Sequence, residues 1–168
     1  MEKNAAYWIE HLQLNQHIEG GYYKENYRSS LSIRQENLPG SFKGDRSAST
    51  SIYFLLEKNN FSALHRIASD ELWHFYAGDC LLIYEFLKDG TVETHRLGNN
   101  IDKGEVFQVI IRAGNWFGAI LNNGGEYALT GCTVAPGFDF NDFELAERSL
   151  LLNQYPEYTE IVKSLTRK

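Results

Sequence analysis

The sequence predicts an all-β fold, an antiparallel barrel or sandwich with a few short helices at its ends. Three observations predict it. Strand-like segments follow one another at short intervals over residues 50–56, 62–67, 71–76, 81–87, 92–97, 107–111, 116–121 and 127–134. The segments between them carry turn chemistry, with Asp89-Gly90 and Asn122-Asn123-Gly124-Gly125 supplying residues that tolerate positive φ. Helical periodicity is confined to the two ends of the chain.

Taken in order, Ala5, Trp8, Ile9 and Leu12 recur at helical spacing and predict an amphipathic helix over about 4–12. Gly20-Gly21 breaks that pattern and introduces an aromatic-rich strand over 22–28. Residues 32–49 turn polar, with Pro39, Gly40 and Gly44, and read as a loop or loosely ordered excursion. The barrel is expected over about 18–136. Beyond Pro136-Gly137, Asp142 is placed to cap a helix over about 143–153, Pro156 breaks it, and a second short helix follows over about 157–165. A chain of 168 residues with this composition reads as one domain.

Composition excludes several function classes. A net charge of -6 and a pI near 5.4, with Lys and Arg scattered, argue against a nucleic-acid polymer as partner. Cys80 and Cys132 are too few for a disulfide framework or a zinc site and read as reduced core thiols. The first residues lack a signal-like apolar run, and no segment is long and apolar enough for a membrane, so a cytoplasmic protein is expected. No phosphate-binding Gly-rich loop, G-x-S-x-G elbow or H-E-x-x-H pair is present, and no internal repeat marks a second barrel.

The informative segment is 59–78, NNFSALHRIASDELWHFYAG. Its spacing resembles the first cupin motif, G-x5-H-x-H-x3/4-E-x6-G, with His65 on the first His, Glu71 on the Glu and Gly78 on the closing Gly. Asn59 stands for the opening Gly and Ile67 for the second His. Residues 104–121, GEVFQVIIRAGNWFGAIL, resemble the second motif, with Arg112 for its Pro, Gly114 for its Gly, Phe117 for its His and Leu121 for its Asn. A closer resemblance, to the DUF985 group of cupins, runs through EGGYYKENYRS (19–29), STSIYFLL (49–56), SALHRIASDELWHFYAGD (62–79) and GCTVAPGFDFNDFELA (131–146). It implies a double-stranded β-helix (jelly-roll) barrel, a homodimer, and a family without an assigned biochemical role.

Metal-dependent cupins gather three His and one Glu inside the barrel, a donor set suited to first-row metals. Here only His65 and Glu71 remain, because Ile67 and Phe117 offer no donor atom. No cofactor is required by the pattern, and a divalent metal, held if present by His65 and Glu71, stays open; Gln108 or His74 are the candidates to complete its set. Strand alternation sets Glu71, Trp73 and Phe75 opposite Leu72, His74 and Tyr76. The same period pairs Ser51 with Tyr53 on one face, and Glu25 with Tyr27 on another, opposite Lys24, Asn26 and Arg28. Phe138-Asp139-Phe140 and Asp142-Phe143 read as a strand-to-helix corner with an Asx cap.

The leading expectation is a cupin enzyme of the isomerase or epimerase type, similar at fold level to the dTDP-4-dehydrorhamnose epimerases. Its small-molecule ligand is a sugar, nucleotide or nucleotide-sugar. His65 is the expected base, Glu71 its orienting partner, and Tyr53 or Tyr27 the acid. Glu25, Tyr27, Ser51, Trp73, Phe75, Gln108 and Trp116 are the expected ligand-binding residues, the rings offering stacking surfaces. The alternatives are a non-catalytic metabolite-binding cupin and a metal-dependent cupin enzyme.

Overall fold

The computed structural model describes residues 3–167. Helix α1 (Ala5–Leu12) is capped by the Asn4 side chain, which accepts from the Tyr7 amide. Strands β1 (Asn15–Gln16) and β2 (Tyr22–Arg28) follow, then a small hairpin of β3 (Ser32–Ile33) and β4 (Arg46–Ser47). The barrel continues through β5 (Thr50–Glu57), β6 (Phe61–Arg66), β7 (Asp70–Gly78), β8 (Leu81–Phe86), β9 (Val92–Leu97), β10 (Gln108–Ile111), β11 (Trp116–Leu121) and β12 (Tyr127–Ala135). A two-residue strand β13 (Glu144–Leu145) and helices α2 (Arg148–Gln154) and α3 (Thr159–Ser164) close the chain.

Two antiparallel sheets face each other, in the orders β1-β2-β5-β12-β7-β10 and β13-β6-β11-β8-β9. Non-sequential neighbours such as β5-β12-β7 are the jelly-roll crossovers that put strands distant in sequence side by side. Phe54, Trp73, Ile83, Phe117 and Cys132 are among the side chains packed between the sheets. Helices α2 and α3 cover the outer face of the second sheet through Leu64, Phe86, Trp116, Leu151 and Val162. Helix α1 covers part of the outer face of the first, over Leu55 and Leu129. Both cysteines are free thiols. Among the described residues no helix is long and apolar enough to cross a membrane.

The motif positions keep the backbone geometry their residues permit. Asn59, where the motif has its opening Gly, adopts φ 66, a conformation Asn tolerates better than most residues, and Gly78 and Gly114 adopt φ 97 and φ 80.

Three expectations are corrected. The excursion at 32–49 is not structureless: β3 and β4 pair, Phe42 is buried, and Arg46 is buried against Asp142. Asp142 caps no helix. Both its carboxylate oxygens accept from Arg46, at 2.6 Å each, so the chain makes a 3-10 turn at Phe140–Asp142 and adds β13 to β6 before helix α2 starts at Arg148. The last helix likewise begins at Thr159, after a 3-10 turn at Pro156–Tyr158.

Candidate functional site

Inward positions at one end of the barrel enclose a cavity of about 380 Å³. Its walls follow from register. Strand β2 pairs β5 as Tyr23↔Phe54, Glu25↔Ile52 and Arg28↔Thr50, and β12 adds Cys132 and Val134 opposite Ile52 and Thr50. Glu71 lies across from Val134 on β7, and His65 and Ile67 reach in from the opposing sheet. The roof is the segment Phe138 to Asn141, and the turn between β1 and β2 brings in His17 and Glu19. Gly20 and Gly21 make that turn possible with φ 119 and φ 72; a Cβ on Gly20 would lie 2.1 Å from the Phe61 carbonyl oxygen.

The floor is a buried cluster of ionisable groups. Nδ1 of His65 lies 2.7 Å from the Ala63 carbonyl oxygen, so that nitrogen carries the hydrogen. Its Nε2 lies 3.2 Å from Glu19 Oε2, while Ser62 Oγ donates to Glu19 Oε1 at 2.8 Å. Burial pushes His65 below the usual imidazole range, against the opposing pull of the Glu71 charge. Burial pushes Glu19 upward, opposed by His17 and the Ser62 hydroxyl. Burial thus disfavours the charged form of both groups where they meet. His17 sits beside this pair, its Nδ1 accepting from the Glu19 amide at 3.3 Å and its ring edge-on to Tyr23.

Glu71 is different in kind. It is 7 % exposed, yet among the described residues its only donor is the thiol of Cys132, which burial keeps protonated. Burial raises its pKa to about 7, with His65 lowering it and Glu19 adding to the rise. A carboxyl that exchanges its proton near neutrality therefore faces the cavity without a strong hydrogen bond of its own. At the mouth, Arg28 donates from Nε and Nη2 to the two oxygens of Glu25 at 2.9 and 2.7 Å, and Nη2 also reaches the Phe138 carbonyl oxygen at 3.2 Å.

Of the residues singled out from sequence, His65, Glu71 and Glu25 line this cavity and the others do not. Tyr27 is moved out by a bulge at Asn26: Glu25 pairs Ile52 but Tyr27 pairs Ser51, so Arg28 takes the inward place and Tyr27 is 53 % exposed. Ser51 and Tyr53 lie on the outer face of β5, with the Tyr53 ring 6.1 Å from that of Tyr76. Trp73 and Phe75 point inward but pack in the core, Trp73 against Phe54 and Phe117. Gln108 is on the outer face, donating to His74 Nδ1 at 3.0 Å, and His74 in turn meets Thr133 Oγ1. Trp116 faces the C-terminal helices under the Arg66 guanidinium.

Sequence reasoning missed His17, Glu19, Arg28 and the roof, and read 138–143 as a corner only. Asp139 does cap its turn through the Asn141 amide, but Phe138, Asp139, Phe140 and Asn141 also line the cavity. The available signal was Glu19 at the head of the Gly-Gly segment.

The donor set does not fit the cupin metal. Phe117 pairs directly across from His65, with ring centroids 4.1 Å apart, and Ile67 adds an apolar wall. His74 and Gln108, the candidates to complete a set, are on the outer face of the sheet. Among the described residues the cluster of metal-ligand type is instead Glu85, Glu93 and His95 on the β8-β9 hairpin. There Glu85 is already engaged, accepting from His95 Nε2, the Arg112 amide and Asn115 Nδ2. Burial would raise its pKa, but these donors outweigh burial and lower it.

A family model described as Cupin superfamily (DUF985) matches residues 6–146. An uncharacterised protein of Saccharomyces cerevisiae is 30 % identical over 141 residues, covering 77 % of this chain and 69 % of its own. A hypothetical protein from Leishmania major superimposes with a TM-score of 0.89 at 34 % identity, covering 98 % of this chain and 99 % of its own. A Shewanella oneidensis protein superimposes with a TM-score of 0.88 at 39 % identity, covering 99 % of each. More distant likeness extends to Bacillus subtilis oxalate decarboxylase, a protein with Mn(II) centres, at a TM-score of 0.54 and 14 % identity over 94 % of this chain and 39 % of that one. That likeness concerns the fold.

Proposed function

Since the chain belongs to the DUF985 family of the cupin superfamily, we propose that its cavity is the active site of a small-molecule isomerase in which Glu71 carries the proton. The observation that supports this reading is the Glu71 carboxyl, 7 % exposed, titrating near 7 and facing a ring-lined cavity. General acid-base catalysis is most effective when the group titrates near the working pH. His65 is less suited to be the base, because Ala63 O occupies one nitrogen and Glu19 the other.

In this scheme ionised Glu71 takes the proton from a carbon next to a carbonyl. The C–H electron pair forms a C=C bond, and the carbonyl oxygen receives the proton of Glu19, whose carboxyl burial holds toward the protonated form. Glu71 then returns its proton to the neighbouring carbon on the same face, while the hydroxyl on the first carbon gives its proton to Glu19 and becomes the new carbonyl, so that both groups are regenerated. His65 is a positioning residue, its Nε2 set 3.2 Å from the Glu19 carboxyl.

Incubation in D2O with free sugars, nucleotides and nucleotide-sugars is expected to place deuterium on the carbon next to the carbonyl of at least one of them, seen by proton NMR. Glu71→Gln should slow that exchange by about 10²–10⁴-fold. Binding without any exchange would leave a non-catalytic metabolite-binding cupin.

We also propose that two copies associate through the outer face of the first sheet. A row of outward residues crosses five of its six strands, Tyr27, Ser51, Thr133, Leu72 and Ile110, and none carries a charge. Tyr27 and Ile110 remain 53 % and 46 % exposed. For chains of net charge -6, an uncharged self-complementary face is where two copies approach with least repulsion. Light scattering at micromolar concentration should give twice the chain mass of 19.3 kDa, and Ile110→Lys should return the monomer; a monomeric wild type refutes this interface.

A further inference from the structure

The charges around the cavity narrow what it can hold. Four carboxyl groups face it, Glu19, Glu25, Glu71 and Asp139, against a single guanidinium, Arg28. That guanidinium is not free: two of its nitrogens are held by Glu25 and one of these also by the Phe138 carbonyl oxygen. His17 and His65 also line the cavity, and burial holds both toward the neutral form. Among the described residues no cation lining the cavity is therefore free to meet a phosphate or carboxylate on a ligand, and the carboxyl groups of Glu71 and Asp139 disfavour one in a site partly shielded from solvent.

Size acts in the same direction. About 380 Å³ lies at the low end of small-molecule pockets. The lining includes the rings of Tyr23, Phe54, Phe138 and Phe140 beside the carboxyl groups of Glu71 and Glu25. Rings that meet C–H faces, set beside carboxyls that exchange hydrogen bonds with hydroxyl groups, suit a compact polar molecule with an apolar face.

We propose that the ligand of this cavity is an uncharged polyhydroxy carbonyl compound of about monosaccharide size, and that phosphorylated and nucleotide-linked sugars are excluded. This rests on the isomerase reading for the carbonyl group alone; the exclusion of anions follows from the side chains in the cavity. The Glu25–Arg28 pair is then the specificity device, because Glu25 cancels the one positive charge at the mouth. Removing that cancellation should convert the site into one that accepts anions.

The test is a thermal-shift titration of wild type and Glu25→Gln with neutral aldoses and ketoses of five and six carbons, their phosphate esters, inorganic phosphate and a nucleotide-sugar. Glu25 is exposed, so the variant is expected to fold. Wild type should be stabilised by a few degrees by at least one neutral sugar at millimolar concentration and by none of the anions. Glu25→Gln should gain a shift with the phosphate ester of that sugar. A wild-type shift with an ester or nucleotide-sugar as large as that with the free sugar overturns the proposal, as does the absence of any shift with neutral sugars.

Deuterium exchange on the same panel separates the two readings. A neutral sugar that binds without exchange keeps the ligand class and defeats the isomerase. A phosphate ester that binds and exchanges does the reverse.

Discussion

Glu71→Gln is expected to stabilise the protein by up to about 3 kcal/mol at pH 8.5 and by little at pH 5. The wild-type carboxyl titrates near 4.5 when unfolded and near 7 when folded, because the cavity denies it water and gives it only a thiol as donor. Between these values the folded state binds the extra proton, so stability falls as pH rises through the window. Above it, the full cost of an ionised buried carboxylate remains. His65 acts in the opposite direction: its folded pKa is lowered, so its contribution is present above about 6.5 and is lost as pH falls. Comparing urea unfolding of wild type and variant at the two pH values reads the Glu71 contribution together with its coupling to His65. An equal stability gap at pH 5 and pH 8.5 would mean that Glu71 is not held near 7. The same substitution is the one that should slow proton exchange, so a more stable and less active protein is the expected signature of a strained catalytic group.

Arg46→Met should destabilise the fold by about 3–5 kcal/mol, the usual cost of leaving one member of a buried ion pair uncompensated. Arg46 and Asp142 are 3 % and 5 % exposed at their side chains and meet through two parallel hydrogen bonds. The pair ties the β3-β4 hairpin to the segment that roofs the cavity, and the Lys43 amide adds a third donor to Asp142. Its loss therefore reaches the site as well as the fold, and ligand-induced thermal shifts should weaken in the variant even where it remains folded. The double variant Arg46→Met, Asp142→Leu should recover part of the stability, since replacing both charges removes the orphaned carboxylate. If the single variant unfolds like wild type, the hairpin is not what holds the roof.

Much of the fold could be read locally. Alternation of period two marks strands, and Gly, Asn and Asp at positive φ mark turns, so 50–134 was legible as consecutive strands. The spacing of His65, Glu71 and Gly78 was legible as a motif, and its departures at Ile67 and Phe117 already showed a donor set too small for the usual cupin metal. Glu25, His65 and Glu71 were found because strand period and motif spacing are properties of neighbouring residues.

The rest depended on partners distant in sequence. A one-residue bulge at Asn26 exchanges Tyr27 for Arg28 at the mouth, and bulge placement is set by pairing with β5, which alternation cannot see. Asp142 has the residue type and position of a helix cap, yet Arg46, 96 residues away, claims it and turns the segment into a roof. Glu19 looks like the acidic residue of a surface turn. Only the approach of that turn to Phe61, through glycines, puts its carboxyl on His65. Strands, family and two of the buried ionisable groups follow from local periodicity and spacing, which neighbouring residues carry. Which groups meet in the buried cluster, and which charge at the mouth is cancelled, depends on distances of a few ångströms between segments that the chain keeps far apart.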